Sequence, residues 1–268
     1  MFFHEHSLTN EVNQMIEQSV LPFKLGETND SLTPHAGLAL FAEFLHALKL
    51  PDSVEASLPS PGSGAGYSPS QFVLPLLLML HGGGRALEDL REIRSDRPLC
   101  ELAGIGRVPS PDAVGDWLRR MGSGRGLSDL RVVNRVLVDR QLSREERSDY
   151  TLDIDATMIE SEKRDAAMTY KGFKGYAPLV GHLAENGLVL LDEFREGNDA
   201  PQSRNLEFLQ SCVSRMPAGK RIARFRSDSA AYQAAILDYC EESGIEFAIG
   251  ADLDAGVQRS LMSVAAWR

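Results

Sequence analysis

Apolar residues recur at helical spacing through the first half of the chain and alternate with polar ones through the second half, with the change near Asp149. Gly37 to Leu48 (GLALFAEFLHAL) fits a helix that stops near Pro51, since proline cannot continue an established helix. Ser57 to Gly66 is a Pro/Gly/Ser loop. Ser68 as N-cap, Pro69 at the first helical position and Gln71 three residues after the cap predict a capped helix running to His81, broken by Gly82–Gly84. Arg85 to Ser95 resumes a helix with Leu87, Leu90 and Ile93 on one side, and Pro98 to Ala103 gives a short one. Ser110 and Pro111 open another, in which Val114, Trp117, Leu118 and Met121 face inward and Arg119 and Arg120 outward until Gly122 ends it.

Past Asp149 the period shortens. In Tyr150 to Ile159, Leu152, Ile154 and Ala156 alternate with Asp153, Asp155 and Thr157, as in a strand with one buried face. Gly175 to Ala184 and Gly187 to Glu196 flank Asn186-Gly187, a strong hairpin signal. Pro201 to Met216 and Ala230 to Ser243 are helical, the latter closed by Gly244, and Arg221 to Ser227 and Glu246 to Gly250 are strands. Three strands with a hairpin, then helix, strand, helix, strand, is an order that resembles a ribonuclease-H-like α/β topology. The expected organisation is an arm over 1–32 with an extended piece at Val20 to Leu25, a helical region over 33–148, and an α/β domain with a mixed sheet over 149–268, α+β overall.

With 43% apolar and 25% charged residues in 268, the chain has the make-up of a folded protein. Its longest apolar run, Phe72 to Leu80, contains Pro75 and is short of the roughly 20 residues a membrane helix needs. The N-terminus, MFFHEHSLTNEVNQ, lacks the basic and apolar regions of a secretory signal, so a cytoplasmic protein with no membrane partner is expected. Cys100, Cys212 and Cys240 are odd in number and widely spaced, which fits small core residues better than disulfides or a thiolate metal site. Of the scattered histidines only His4 and His6 are close, at an end expected to be solvent-exposed. A net charge of −10 opposes nucleic-acid binding as a whole-chain average. Its distribution does not: arginines gather at Arg85, Arg91, Arg94, Arg97 and Arg107, and again from Arg119 and Arg120 to Arg140. Short helices with tight turns and such an outer face suit a helix-turn-helix DNA module, and equally a small helical bundle.

Asp155 lies within the first strand of the second half and Asp228 just beyond the fourth. If those strands are neighbours, both carboxylates reach one edge, where hard oxygen ligands suit Mg²⁺ or Mn²⁺ and phosphoryl transfer. The alternative stays open at this point: Asp153 and Asp155 as the polar face of an edge strand, and Asp228 as a helix N-cap.

Several segments carry a family resemblance. LDIDATMIES, Leu152 to Ser161, looks like the D-x-T strand of bacterial DDE transposases, and RFRSDSAAY, Arg224 to Tyr232, resembles their second-acid motif. The stretch KGFKGYAPLVGHLAENGLVL from Lys171, the helical segment Gly66 to Asp96 and VPSPDAVGDWLRRMG are similar to the insertion-sequence group numbered 1380. The resemblance runs from about Thr33 and implies a DNA transposase with a two-ion Mg²⁺ site that cuts and rejoins element ends, using water and then a 3′-hydroxyl. It implies Asp155 and Asp228 as catalytic metal ligands, with Asp153 a lesser alternative. It also implies as partners the terminal inverted repeats and target DNA, contacted by residues such as Arg85, Arg91, Arg94, Arg119, Arg120, Lys171 and Lys174, with a homodimer among the assemblies it allows. The family's third acid, a Glu on a later helix, has no counterpart in Glu160, Glu162, Glu193 or Glu196, so the chain reads as C-terminally truncated and is expected to cleave poorly or not at all. A non-catalytic DNA-binding or dominant-negative remnant is the second reading, and an unrelated α/β protein, with the two acids far apart, the third.

Other motifs are weaker. His81-Gly82-Gly83-Gly84 resembles a lipase oxyanion loop, but no G-x-S-x-G elbow accompanies it and a helix break is the simpler expectation. GSGAG at Gly62 and GSGRG at Gly122 lack the remaining residues of nucleotide-binding fingerprints. Lys220, Arg221, Arg224 and Arg226 fit a DNA-phosphate contact and a solvated strand face equally well.

Overall fold

The computed structural model describes residues 28–60, 62, 66–251 and 255–266. The expected arm, with Val20 to Leu25, His4 and His6, lies almost wholly outside them. The helices are α1 (Ala36–Ala47), α2 (Leu50–Ser57), α3 (Pro69–His81), α4 (Leu90–Ser95), α5 (Arg97–Leu102), α6 (Pro111–Ser123), α7 (Gly126–Leu142), α8 (Asn205–Ser214), α9 (Ala234–Ser243) and α10 (Ala255–Met262). The strands are β1 (Asp149–Ala156), β2 (Ile159–Glu160), β3 (Ala167–Met168), β4 (Lys174–Tyr176), β5 (Leu179–Leu183), β6 (Val189–Glu193), β7 (Arg221–Ser227) and β8 (Glu246–Ile249). Two compact units emerge, one formed by Gln71–Val114 with the described part of the first 44 residues, the other by Leu45–Ser70 with Gly115–Arg268.

In the first unit, Leu78, Leu90, Ile93, Leu99 and Val114 are buried, and Phe41 stacks on His81 with centroids 3.9 Å apart. The Gly82–Gly84 stretch ends α3 as expected: Gly84 returns its N–H to the Met79 carbonyl at 2.9 Å, and Gly83 takes a φ of 93° that side chains rarely adopt. The helix expected over Arg85 to Ser95 is shorter, because the Asp89 carboxylate accepts from the backbone N–H groups of Arg85 and Ala86 and holds that stretch as a separate turn. Asp96 caps α5 through the Leu99 N–H at 3.0 Å, and its buried carboxylate also takes Thr33 Oγ1 and His35 Nδ1, the latter at 3.1 Å. Asp96→Ala removes the cap and takes away the acceptor of the Thr33 hydroxyl proton, whose oxygen still accepts from the His35 N–H. We expect a loss of about 1–3 kcal/mol, read as a lower urea midpoint with unchanged slope.

In the second unit, Pro51 opens α2 at its N-terminus instead of only ending α1, because its fixed φ suits a first helical turn. At the start of α3, Glu55 Oε1 accepts from the Ser70 N–H at 2.9 Å and from its hydroxyl. The main sheet has the order β6-β5-β1-β7-β8, with β6, β5 and β1 antiparallel and β1, β7 and β8 parallel. A hairpin closed by Gly187 at φ 72°, followed by two strand–helix–strand crossovers through α8 and α9, is the mixed ribonuclease-H-like arrangement that the order of elements anticipates. One face carries the core, in which Leu152, Ile154, Leu183 and Phe225 meet Phe208, Leu209 and Cys212 of α8 and Ile236 and Cys240 of α9, joined by Val138 and Leu142 of α7. Gly181 lets α8 close in, since a Cβ there would stand 2.7 Å from Cys212 Sγ. Burial raises the thiols of Cys212 to about 12 and Cys240 to about 11, so both are inert core residues, and all three cysteines are free.

Burial works against ionisation of Glu55, Asp96, Glu145 and Glu185, but hydrogen bonds outweigh it and hold all four below their ordinary values. A carboxylate depressed in the folded state stabilises the fold above its unfolded value, near pH 4, and that stability is lost as pH falls through the folded value. Urea midpoints are therefore expected to hold from pH 7 to about 5 and then to drop steadily on acidification.

Candidate functional site

The polar face of the main sheet is a ladder of paired side chains. In the parallel register, Thr151 stands beside Arg224, Asp153 beside Arg226 and Ile154 beside Ser227. Alternation then puts Asp155 and Asp228, one residue beyond the last registered pair, on the same face as Asp153 and Arg226. Asp228 keeps an extended backbone, with φ −74° and ψ −172°, so its side chain follows the strand pattern although it already caps the turn after β7. Its Oδ1 accepts from the Ala230 N–H at 3.0 Å, and Asp155 Oδ1 accepts from the Ala156 N–H at 2.9 Å. Both carboxylates are exposed. Gly250 lies alongside, where a Cβ would stand 3.4 Å from the Asp228 carbonyl carbon.

Asp153 is occupied differently. Arg226 grips it through Nε at 2.7 Å and Nη2 at 2.6 Å, while His182 Nε2 lies 3.7 Å away. A carboxylate held by a guanidinium fork has little left for a cation, so Asp153 reads as part of the ladder beneath the acid pair. The neighbouring cations are engaged as well: Arg224 donates to Thr151 Oγ1 and lies 3.7 Å from Glu185, Arg221 forks onto Asp149, and Lys220 donates to the carbonyls of Glu145 and Arg147. Neither a DNA-phosphate contact nor a merely solvated strand face includes this pairing within the fold, which all four residues show. At the ladder's foot, burial and the Glu145 carboxylate push Tyr150 up to about 12, and its hydroxyl donates to Glu145 at 2.8 Å.

The pair Asp155 and Asp228 offers hard oxygen donors suited to a divalent cation such as Mg²⁺ or Mn²⁺. Among the described residues no group of three or more His, Cys, Asp or Glu side chains could hold a metal ion.

The remaining candidates are scattered over the two units. Arg85, Arg91 and Arg94 are exposed in the first, where Arg91 pairs with Glu88 at 2.8 Å. Arg119 and Arg120 are exposed in the second, Arg119 beside Asp116. Lys171 and Lys174 are exposed on a separate three-stranded sheet of order β2-β4-β3, which leaves the main sheet after Ala156 and rejoins it at Leu179; Lys171 lies 5.9 Å above the Tyr170 ring. Sequence reasoning passed over the buried Asn205, which donates to the Ala230 carbonyl, and the buried Arg195, which donates to Asn205, because nothing local marks a lone Asn or Arg. No helix among the described residues is long and apolar enough to cross a membrane.

The profile of the family described as transposase DDE domain group 1 matches residues 21–266. No curated protein gives a match. Among solved structures, the Mos1 strand transfer complex is 14% identical over 87% of this chain and 84% of that chain, with a TM-score of 0.28. The HTLV-2 integrase catalytic core domain in complex with magnesium is 16% identical over 44% of this chain and 68% of that chain, with a TM-score of 0.28. The piggyBac transposase synaptic complex with hairpin DNA is 10% identical over 90% of this chain and 48% of that chain, with a TM-score of 0.36.

Proposed function

We propose, for a chain that belongs to the transposase DDE domain group 1 family, the role of a DNA transposase of an insertion sequence in the group numbered 1380, with Asp155 and Asp228 as its first two catalytic acids. One observation supports this reading: β1 and β7 pair in parallel as far as Ile154 and Ser227, and the two acids, 73 residues apart in sequence, are the residues that follow that last pair on the two adjacent chains. In that role Asp155 and Asp228 hold Mg²⁺ or Mn²⁺, which when bound activates the attacking oxygen and stabilises the leaving oxygen of an in-line displacement. The chain's own part is positional. The rigid β1–β7 pair sets the spacing of the carboxylates, and the Arg226–Asp153 fork beneath them keeps Asp153 from competing. With two carboxylates and no third among the described residues, 1–268 alone is proposed to bind element ends in the bacterial cytoplasm and to cut them weakly.

The test is purified 1–268 with duplexes carrying the inverted repeats that flank its coding sequence, in Mg²⁺ or Mn²⁺. The expected outcome is binding that weakens steeply with salt and little nicking. Each phosphate contact removed, by Arg119→Ala, Arg120→Ala, Lys171→Ala or Lys174→Ala, is expected to flatten the log–log salt slope by about 0.9. Robust nicking overturns the weak cleavage proposed for 1–268; no preference for element ends over random duplex overturns the transposase reading of this chain.

A further inference from the structure

Asp228 sits on a short turn, and what fixes that turn comes from another element. Asn205, the first residue of α8, is 5% exposed and its side chain makes three hydrogen bonds. Its Oδ1 accepts from Arg195 Nη1 at 3.1 Å, and its Nδ2 donates at 3.0 Å to both the Pro201 and Ala230 carbonyls. Each partner has one role only: a guanidinium can only donate and a carbonyl can only accept. The amide is therefore locked in one orientation, and an aspartate in its place would turn oxygen against two carbonyls.

Ala230 is the link to the site. Its carbonyl receives Asn205 Nδ2 and also Gln233 Nε2, at 2.9 Å, while its N–H donates to Asp228 Oδ1 at 3.0 Å. On the other side Arg195, 3% exposed, donates through Nε to Glu193 Oε1 at 3.0 Å, and the same oxygen accepts from Arg204 Nε at 2.9 Å. Arg204 holds a left-handed φ of 57° just before Asn205, a strained conformation for a side-chain-bearing residue. Glu193, Arg195, Arg204, Asn205 and Ala230 thus form a continuous chain from β6 to the second acid. An ordinary helix start needs none of this.

We infer that Asn205 is a positioning residue for the Asp228 carboxylate, acting through Ala230 with Arg195 orienting its amide. The inference rests on the proposed metal role of Asp228. It is tested in purified 1–268 by amide hydrogen exchange at Ala230 and by Mn²⁺ affinity from paramagnetic relaxation, in Asn205→Ala, Asn205→Asp and the milder Gln233→Ala, with circular dichroism confirming the fold. Expected are faster exchange at Ala230 in all three variants and Mn²⁺ binding weakened about tenfold in the Asn205 variants and less in Gln233→Ala. A folded Asn205→Ala or Gln233→Ala with wild-type exchange at Ala230 overturns the positioning role, as does altered exchange in an Asn205 variant whose Mn²⁺ affinity stays within twofold of a binding wild type. Altered exchange in a protein whose wild type binds no Mn²⁺ supports Asn205 as the anchor of the Asp228 turn and overturns the metal reading instead.

Discussion

Replacing Asp155 or Asp228 with asparagine is expected to weaken Mn²⁺ binding at least tenfold, and replacing Asp153 is expected to leave it nearly unchanged. The contrast follows from occupancy. Asp155 and Asp228 each accept a single backbone N–H and retain lone pairs toward solvent, whereas Asp153 spends both oxygens on Arg226. Asparagine is nearly isosteric but loses the negative charge that makes a hard-cation ligand. At Asp153 the same exchange breaks an ion pair whose arginine is 55% exposed, so it costs stability of about 0.2–1 kcal/mol and little affinity. Relaxation titrations of the three variants with unfolding curves on the same samples check this. Equal losses of Mn²⁺ binding at all three positions would mean that the ladder as a whole, and not the terminal pair, attracts the ion.

Phe225→Ala is expected to produce the largest loss of stability, about 3–5 kcal/mol, measured by urea unfolding. Phe225 is 1% exposed in the core between β7 and the helices α8 and α9. Truncation removes its burial and leaves a cavity at the strand that bears Asp228 three residues later. Set against a typical total of about 5–15 kcal/mol, such a loss brings the protein close to unfolding at 37 °C. The conservative Phe225→Leu, which keeps much of the volume, is expected to cost less than half as much. Comparable costs for both would mean that ring geometry, not filled volume, secures β7.

These two predictions draw on parts of the chain that differed in legibility. β7 was readable with its full bounds, since Ile222 and Phe225 stand out between charged neighbours, and Asn186-Gly187 marked the turn between β5 and β6. The spacing of the two acids only permitted a pair, and it was the motifs around Asp155 and Asp228, not the order of elements, that singled them out. α7, the longest helix of the described residues, left little trace: its buried positions include Gly126 and Asp129, while Leu127, Leu130 and Val132 are exposed, so the apolar stripe is blurred. β3 and β4 are too short for any period to register. Pro51 misled because proline both ends one helix and starts another. The Asn205–Ala230 link spans 25 residues and the Arg226–Asp153 fork 73, and neither separation has a local signature.

The two margins of the main sheet are finished differently. Along β6, α7 supplies Arg131 to the Asp192 carbonyl at 2.8 Å and Asn134 to the Val189 carbonyl at 3.0 Å, so that edge already has partners for its outward groups. The opposite margin is β8, where Glu246 is followed by Phe247, Ala248 and Ile249, with Phe247 40% exposed. An unpaired margin is a template for another strand, and a sealed one is not. In the order β6-β5-β1-β7-β8 the margin that α7 covers is the hairpin side, and the other margin is the one nearer Asp228, so strand addition to this sheet is expected at β8 before β6.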